Sequence, residues 1–273
     1  MRTKIAVLAA LAAVFAVYGC QKSESPRFVI TGSSTCQPVI AEVAARLEQQ
    51  DPSVQYQVET GGSGRGIADA RSGKADAGMS SRDLKPEELD GISVVPFARD
   101  GVTVVVHSDR KLTALDSATI KKIYTGKITN WKELGGPDAK ITVLNKAEGR
   151  ATLEVFLHKF GLKNSEIQAD VIVGDNAQCV RLVSGDPLAI GYLSIGEAIR
   201  AIDRGEPLQL LQLDGVEASL QTVQDGTFPL GRTLYLLFPE TVPAAGQRIV
   251  DFLKSPAGSE LLYAQGFVPL SGS

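Results

Sequence analysis

Apolar positions along the chain fall into two alternating rhythms. Residues 28–31 are a short apolar run that enters a turn of small residues. Pro38 follows where the first turn of a helix tolerates a missing N–H. Val39, Ile40, Val43, Ala44 and Leu47 then form one stripe at helical spacing, and Asp51-Pro52 ends it. Val54, Tyr56 and Val58 alternate as a strand. A glycine-rich loop at 61–66 leads into a helix over about 67–71, and 75–79 reads as a second short strand. Residues 102–106 are continuously apolar and predict a buried strand. Beyond them 119–124 reads as helix and 141–144 as strand. Leu153, Phe156, Leu157 and Phe160 form a helical stripe closed by Gly161 as a C′ residue. Residues 189–193 and 234–238 predict further buried strands, and 246–264 one final helix. Strands alternating with helices predict an α/β architecture with parallel strands.

The start of the chain departs from this rhythm. Arg2 and Lys4 precede an unbroken apolar run over 5–17, which is shorter than the roughly 20 residues of a membrane-spanning helix. Charged start, short apolar stretch and a small residue before a break form the pattern of a secretory signal. The run ends Val17-Tyr18-Gly19-Cys20, which resembles a lipobox. Residues 1–19 are therefore expected to be a lipoprotein signal peptide, Cys20 the lipidated residue, and 20–26 a polar tether containing Pro26. The mature chain is expected in the periplasm or at the cell surface, anchored through that lipid.

Composition narrows the function further. The chain has 273 residues, 44 % of them hydrophobic, enough for two modest folded units. Removing residues 1–19 takes away Arg2 and Lys4 and no acidic residue. The basic count then falls from 28 to 26 against 31 acidic, a net charge of −5. This opposes nucleic-acid binding, which needs a basic excess. It does not oppose a local anion site built from backbone N–H groups and one or two cations. His107 and His158 lie far apart, and no Cys or His cluster has zinc spacing. Neither a metal nor a cofactor is expected. Cys36 and Cys179 remain beside the lipidated cysteine. An oxidising compartment permits them to pair, and the reading taken is two unpaired thiols.

Three small-residue loops stand between a strand and a helix: 31–36, 61–66 and 147–152. A helix start carries unpaired N–H groups and the positive end of the helix dipole. Glycine lets an anion approach the backbone, and Ser or Thr adds a hydroxyl donor. One such loop is commonly no more than an N-cap; three in one chain point to a shared anion site. Enzymatic alternatives fail on spacing. Ile67 occupies the place of the third glycine of a dinucleotide fingerprint, no G-K-[ST] follows, and Arg65 stands where a nucleophile elbow around Ser63 needs glycine. The chain is not read as an enzyme.

Several runs resemble the phosphate-binding proteins of Pst-type ABC transporters over nearly the whole mature chain. They are the loop over 31–38, Gly62-Ser63-Gly64-Arg65-Gly66-Ile67, and Asp76-Ala77-Gly78-Met79-Ser80-Ser81-Arg82. The more specific later ones are Ile123-Tyr124-Thr125-Gly126-Lys127-Ile128-Thr129-Asn130-Trp131, Ala189-Ile190-Gly191-Tyr192, and Phe228-Pro229-Leu230-Gly231-Arg232-Thr233-Leu234-Tyr235. The resemblance implies a two-lobed type II periplasmic binding protein fold. Residues 27–104 plus 230–273 would form lobe I and 105–229 lobe II, with hinge crossovers near 98–104 and 228–233. A phosphate ion would sit between the lobes of a monomer and pass to a membrane permease. The implied ligand shell is Ser33, Ser34, Thr35, Cys36, Gly62, Ser63, Gly64, Ser81, Arg82, Lys146, Glu148, Gly149, Arg150, Ala151 and Thr152.

Two positions depart from the family pattern. Similar proteins commonly read Arg-x-Asp/Glu-Gly-Ser-Gly-Thr where this chain has Lys146-Ala147-Glu148-Gly149-Arg150-Ala151-Thr152. A lysine is a point charge without the planar fork of arginine, and Arg150 is expected to restore that fork from a neighbouring position. In some relatives a carboxylate occupies the place of Ser81 and accepts the proton of hydrogen phosphate. Here either discrimination against sulfate is weaker, or Glu148 supplies the acceptor. Another oxyanion, such as sulfate, molybdate or an organophosphate, is the nearest alternative ligand, and a sensing or adhesion role the alternative use of the fold.

Overall fold

The computed structural model describes residues 27–270. The expected signal peptide, the Cys20 attachment point and the tether lie outside them. In chain order the first part runs β1 (Arg27–Gly32), α1 (Gln37–Gln50), β2 (Gln55–Thr60), α2 (Ser63–Arg71), β3 (Ala77–Ser80) and β4 (Ile92–His107). The middle runs β5 (Ala114–Leu115), α3 (Ser117–Tyr124), β6 (Thr142–Lys146), α4 (Ala151–Phe160), β7 (Val171–Val173), α5 (Asn176–Gly185), β8 (Ala189–Ser194), α6 (Ile195–Asp203), β9 (Leu208–Leu210), β10 (Gln212–Leu213) and α7 (Leu220–Gln224). The chain closes with β11 (Gly231–Pro239), α8 (Ala244–Lys254), α9 (Pro256–Ala264) and β12 (Val268–Pro269). Among the described residues no helix is long and apolar enough to cross a membrane.

Local chemistry explains the elements that position the site. In α1, Val39, Ile40, Val43, Ala44 and Leu47 are all buried, with proline in the first turn and Asp51 extended at the end. Two expectations are revised. The single helix over 246–264 is two helices. Ser255 is extended and its hydroxyl accepts from Gly258 N, while Pro256 opens α9 and cannot continue the hydrogen bonding of α8. The strand over 102–106 is the end of the 16-residue β4. Pro96 sits in its first half at a register shift opposite Leu234 and Tyr235, where a missing N–H is tolerated.

Ten strands build a mixed sheet along the path β2-β1-β3-β11-β4-β8-β6-β7, with β9 and β12 also paired to β4, in place of the parallel strands expected; β5 and β10 pair separately. Parallel pairing holds for β1 with β2 and β3, and for β6 with β7 and β8. β11 runs antiparallel to β3 and β4, as β8 does to β4. β4 belongs to both halves of the molecule. Residues up to Gly101 pair with β11, and from Val102 onward the partner is β8. The cores divide at the same place. Phe97, Ala98, Leu234 and Leu236 pack with the α1 stripe, whereas Val102, Val104, Phe228 and Leu230 pack with Tyr124, Trp131 and Phe156. The chain thus crosses between the halves at 101–102 and again at 230–231, giving an α/β, two-lobed type II binding-protein fold with two crossover segments.

The 123–131 run serves this scaffold. Tyr124 is buried with its ring 4.6 Å from that of Phe156, which stacks on Tyr192 at 4.0 Å. Trp131 is buried and its indole N–H donates to Leu188 O at 2.9 Å. The Tyr192 hydroxyl donates to Asn145 Oδ1 at 2.5 Å and accepts from Lys146 N at 3.2 Å. These bonds fix the end of β6 from which the 147–152 loop departs.

Candidate functional site

Ser33 organises the first loop. Its hydroxyl accepts from Thr35 N at 3.2 Å and Cys36 N at 3.4 Å and donates to Ser81 Oγ at 2.9 Å. In the second loop, Gly61 N and Gly62 N both donate to Gly32 O at 2.9 Å. Gly62 has φ +93°, and a Cβ there would lie 2.4 Å from Gly149 O of the opposite half. Gly66 abuts Gly32, so a Cβ would meet Gly32 Cα at 2.9 Å. Only glycine permits both approaches. α2 then begins at Ser63, whose buried hydroxyl accepts from Ser81 N at 3.0 Å. In the third loop, α4 opens with Ala151 and Thr152, both buried.

These loops converge on one small, almost wholly polar cavity between the halves. Its walls are Ser33, Ser34, Thr35, Gly62, Ser63, Ser81, Arg150, Ala151 and Thr152. All nine are residues expected from the sequence. Gly64 and Gly149 join the halves instead, Gly64 N donating to Gly149 O at 3.2 Å. Cys36 lies behind the wall with its thiol against Ser80 O. Burial pushes that thiol up to about 12, so it stays protonated and neutral. Cys36 and Cys179 are both free and buried.

Three charged candidates face elsewhere. Arg82 pairs bidentately with Glu88 at 2.7 and 2.9 Å and lies 2.9 Å from Glu154 of the other half, so its guanidinium bridges two carboxylates. Lys146 is buried, and its ammonium donates to Asp175 O at 2.7 Å; that burial lowers its pKa. Glu148 is exposed and accepts from Asn164 Nδ2 at 3.1 Å. Arg150 does reach the cavity. Its Nη1 is buried and has no hydrogen-bond partner.

A buried network behind the cavity was missed at the level of sequence. Arg232 and Asp100 are cross-strand partners on β11 and β4 at the crossover. Arg232 donates to Asp100 Oδ2 through Nε at 2.9 Å and Nη2 at 2.6 Å, and Asp100 Oδ1 accepts from Ser194 at 2.9 Å. The guanidinium also donates to Thr35 Oγ1 at 3.1 Å and Thr152 Oγ1 at 3.2 Å, touching one wall residue from each half. Asn176 Nδ2 adds a second donor to Thr35 Oγ1 at 3.2 Å. The available signal was charge inside apolar strands: Asp100 precedes a run of valines, and Arg232 precedes an alternating apolar strand.

The arrangement has the chemistry that suits a compact anion. Three helix starts, six hydroxyl-bearing residues and Arg150, whose buried Nη1 has no partner, surround a space with no carboxylate in its lining. Comparisons agree with this chemistry. Residues 21–256 match the PBP superfamily domain model. The chain is 30 % identical to the phosphate-binding protein PstS of Bacillus subtilis, covering 92 % of this chain and 83 % of that one. A Clostridium perfringens protein described as a phosphate ABC transporter substrate-binding protein, solved with bound phosphate, superposes with a TM-score of 0.82. It is 31 % identical, covering 90 % of this chain and 100 % of the other. An ABC-type phosphate transport receptor from Vibrio cholerae superposes with a TM-score of 0.72 at 27 % identity, covering 88 % and 99 %. With this fold, these loops at the cavity and these relatives, the chain belongs to the PBP superfamily and, within it, to the Pst-type phosphate-binding protein family.

Proposed function

We propose that the protein captures inorganic phosphate in the cavity between its halves and delivers it to an ABC importer. It acts as an extracytoplasmic monomer held to the membrane by lipid on Cys20. The lobes of this reading are 27–104 with 230–273, and 105–229. The observation that carries it is the buried, unpartnered Arg150 Nη1 beside a cavity walled by Ser33, Thr35, Ser63, Ser81 and Thr152. A buried guanidinium donor without an acceptor costs free energy, and a phosphate oxygen removes that cost with a charge-assisted bond. Phosphate docks on the hydroxyls of one half. Closure then brings Arg150 and Thr152 and excludes water, which strengthens every bond to the ion. Arg232 orients Thr35 and Thr152 together and so couples the two walls.

Titration calorimetry on phosphate-stripped protein lacking residues 1–20 tests this. One-to-one phosphate binding, abolished when Ser63 and Thr152 are both replaced by alanine, is expected. No heat with phosphate would overturn the reading. Mass spectrometry of the membrane-associated protein, with and without Cys20→Ser, tests the anchor.

A further inference from the structure

We infer that Arg82 and Glu154 are positioning residues for anion retention: their ion pair joins the two halves and holds them shut, although neither side chain lines the anion cavity. The inference rests on the anion-capture reading above and concerns how long a captured ion stays.

Arg82 directly follows Ser81, and Glu154 stands two residues beyond Thr152, so each charge rides on a segment that carries a cavity wall. Their 2.9 Å separation is reached only when the walls are together. Among the described residues this is the one ion pair that crosses between the halves. Two hydrogen bonds also cross near the cavity, Asn176 to Thr35 and Arg232 to Thr152, but both end on wall residues. Arg82 and Glu154 stand outside the lining and can be changed without touching it.

Arg82 is held in position from its own half. Its Nη1 and Nη2 donate to Glu88 at 2.7 and 2.9 Å, and Nη1 donates also to Asp83 O at 2.9 Å. Glu88 is fixed in turn by Lys85 N at 2.8 Å. The entropy of holding a long side chain is thus already spent before Glu154 arrives. Parting the halves strands neither charge. Arg82 keeps Glu88, and Glu154, 31 % exposed in the first turn of α4, has water and the positive end of the helix dipole. Arg82 Nε makes no hydrogen bond, so its contact with Glu154 depends on charge more than on angle. Both residues line a recess of about 750 Å³ shared by the halves, with Lys85 on one side and His158 on the other. Such a pair holds modestly and releases freely, as repeated capture and release requires.

Charge and position make opposite predictions for Glu154. It is a negative group near an anion site, so repulsion alone predicts that removing its charge tightens binding. A fastening between the halves predicts that binding loosens. Stopped-flow kinetics on phosphate-stripped protein separates the two, with a solvent-sensitive dye on His158→Cys in the recess; Cys36 and Cys179 are buried away from the label. In Glu154→Gln, phosphate dissociation should speed up about fivefold while association stays within about twofold, the order of a partly exposed ion pair. A merely structural residue would lower the urea midpoint and leave dissociation alone. Unchanged or tighter phosphate binding in folded E154Q overturns the inference and leaves the capture reading standing. Where E154Q does not fold, Glu154→Asp keeps the charge and shortens its reach; faster dissociation is expected, and an unchanged rate overturns the inference. No phosphate binding by the wild-type protein overturns both readings.

Discussion

Replacing Arg150 by methionine tests the site with little structural disturbance. The side chain is half-buried and lies along the Gly62 loop, a Cβ on Gly62 coming 3.1 Å from Arg150 Cδ. Methionine keeps that apolar stem and removes the guanidinium. In the ligand-free protein the loss is small, because the buried Nη1 has no partner to leave behind. Unfolding free energy should therefore hold or rise, by up to about 1–3 kcal/mol, because an unsatisfied buried donor is removed with the guanidinium. In the bound protein the same change removes a hydrogen bond between charged groups, worth roughly 1.5–3 kcal/mol. Affinity for phosphate should fall about 10- to 150-fold at 25 °C. Titration calorimetry gives the Kd and urea denaturation the stability, both on stripped protein. Arg65→Met is the control. That arginine adjoins the same glycine loop but pairs with Glu59 at 2.6 Å and Asp69 at 3.0 Å, away from the cavity. It should leave Kd within about twofold. A Kd for R150M within threefold of wild type would refute the assignment of the unpaired N–H to the ion.

Asp100→Asn strands the buried Arg232 charge and should cost about 3–5 kcal/mol in urea denaturation. Glu88 is held down to about 2, chiefly by hydrogen bonding to Arg82, from its ordinary value of 4.5. Because the folded value is depressed, its contribution is full above about pH 4.5 and is lost as pH falls towards 2. Glu88→Gln should flatten stability over that acid window in pH-dependent denaturation. Cys36 and Cys179 should both be silent to a thiol reagent at pH 8 until the protein unfolds, since burial raises both thiols.

Much of the cavity was legible because its donors come from loops whose chemistry is local. Ser33, Ser63 and Thr152 stand next to glycines or at helix starts, and each loop announces itself within six residues. Arg232 and Asp100 were not legible, since they meet only when residues 132 apart are placed in antiparallel register. Lys146 shows a different limit. Its position matched the expected cation, but the direction of a side chain at a strand end depends on what packs around it, and its ammonium turns to Asp175 O. Arg150, four residues on, is the charged residue that lines the cavity. The break at Ser255-Pro256 was visible as an N-cap followed by proline; the continuous apolar stripe on either side concealed it. The first half of β4 was obscured by Pro96, Arg99 and Asp100, whose polarity is absorbed by a register shift and a buried ion pair.

β4 passes from one half to the other as an unbroken strand, its partner changing from β11 to β8 between Gly101 and Val102. Such a strand advances only about 3.3 Å per residue and cannot coil. The two walls are therefore never diluted over the volume a flexible tether would sweep. An ion resting on Thr35 and Ser63 would meet Arg150 at a high effective concentration, set by the bending of the two crossover segments. Inserting a few glycines at both crossovers, after Gly101 and after Leu230, would keep every ligand residue in the chain and still weaken capture, because the second wall would have to search for the first.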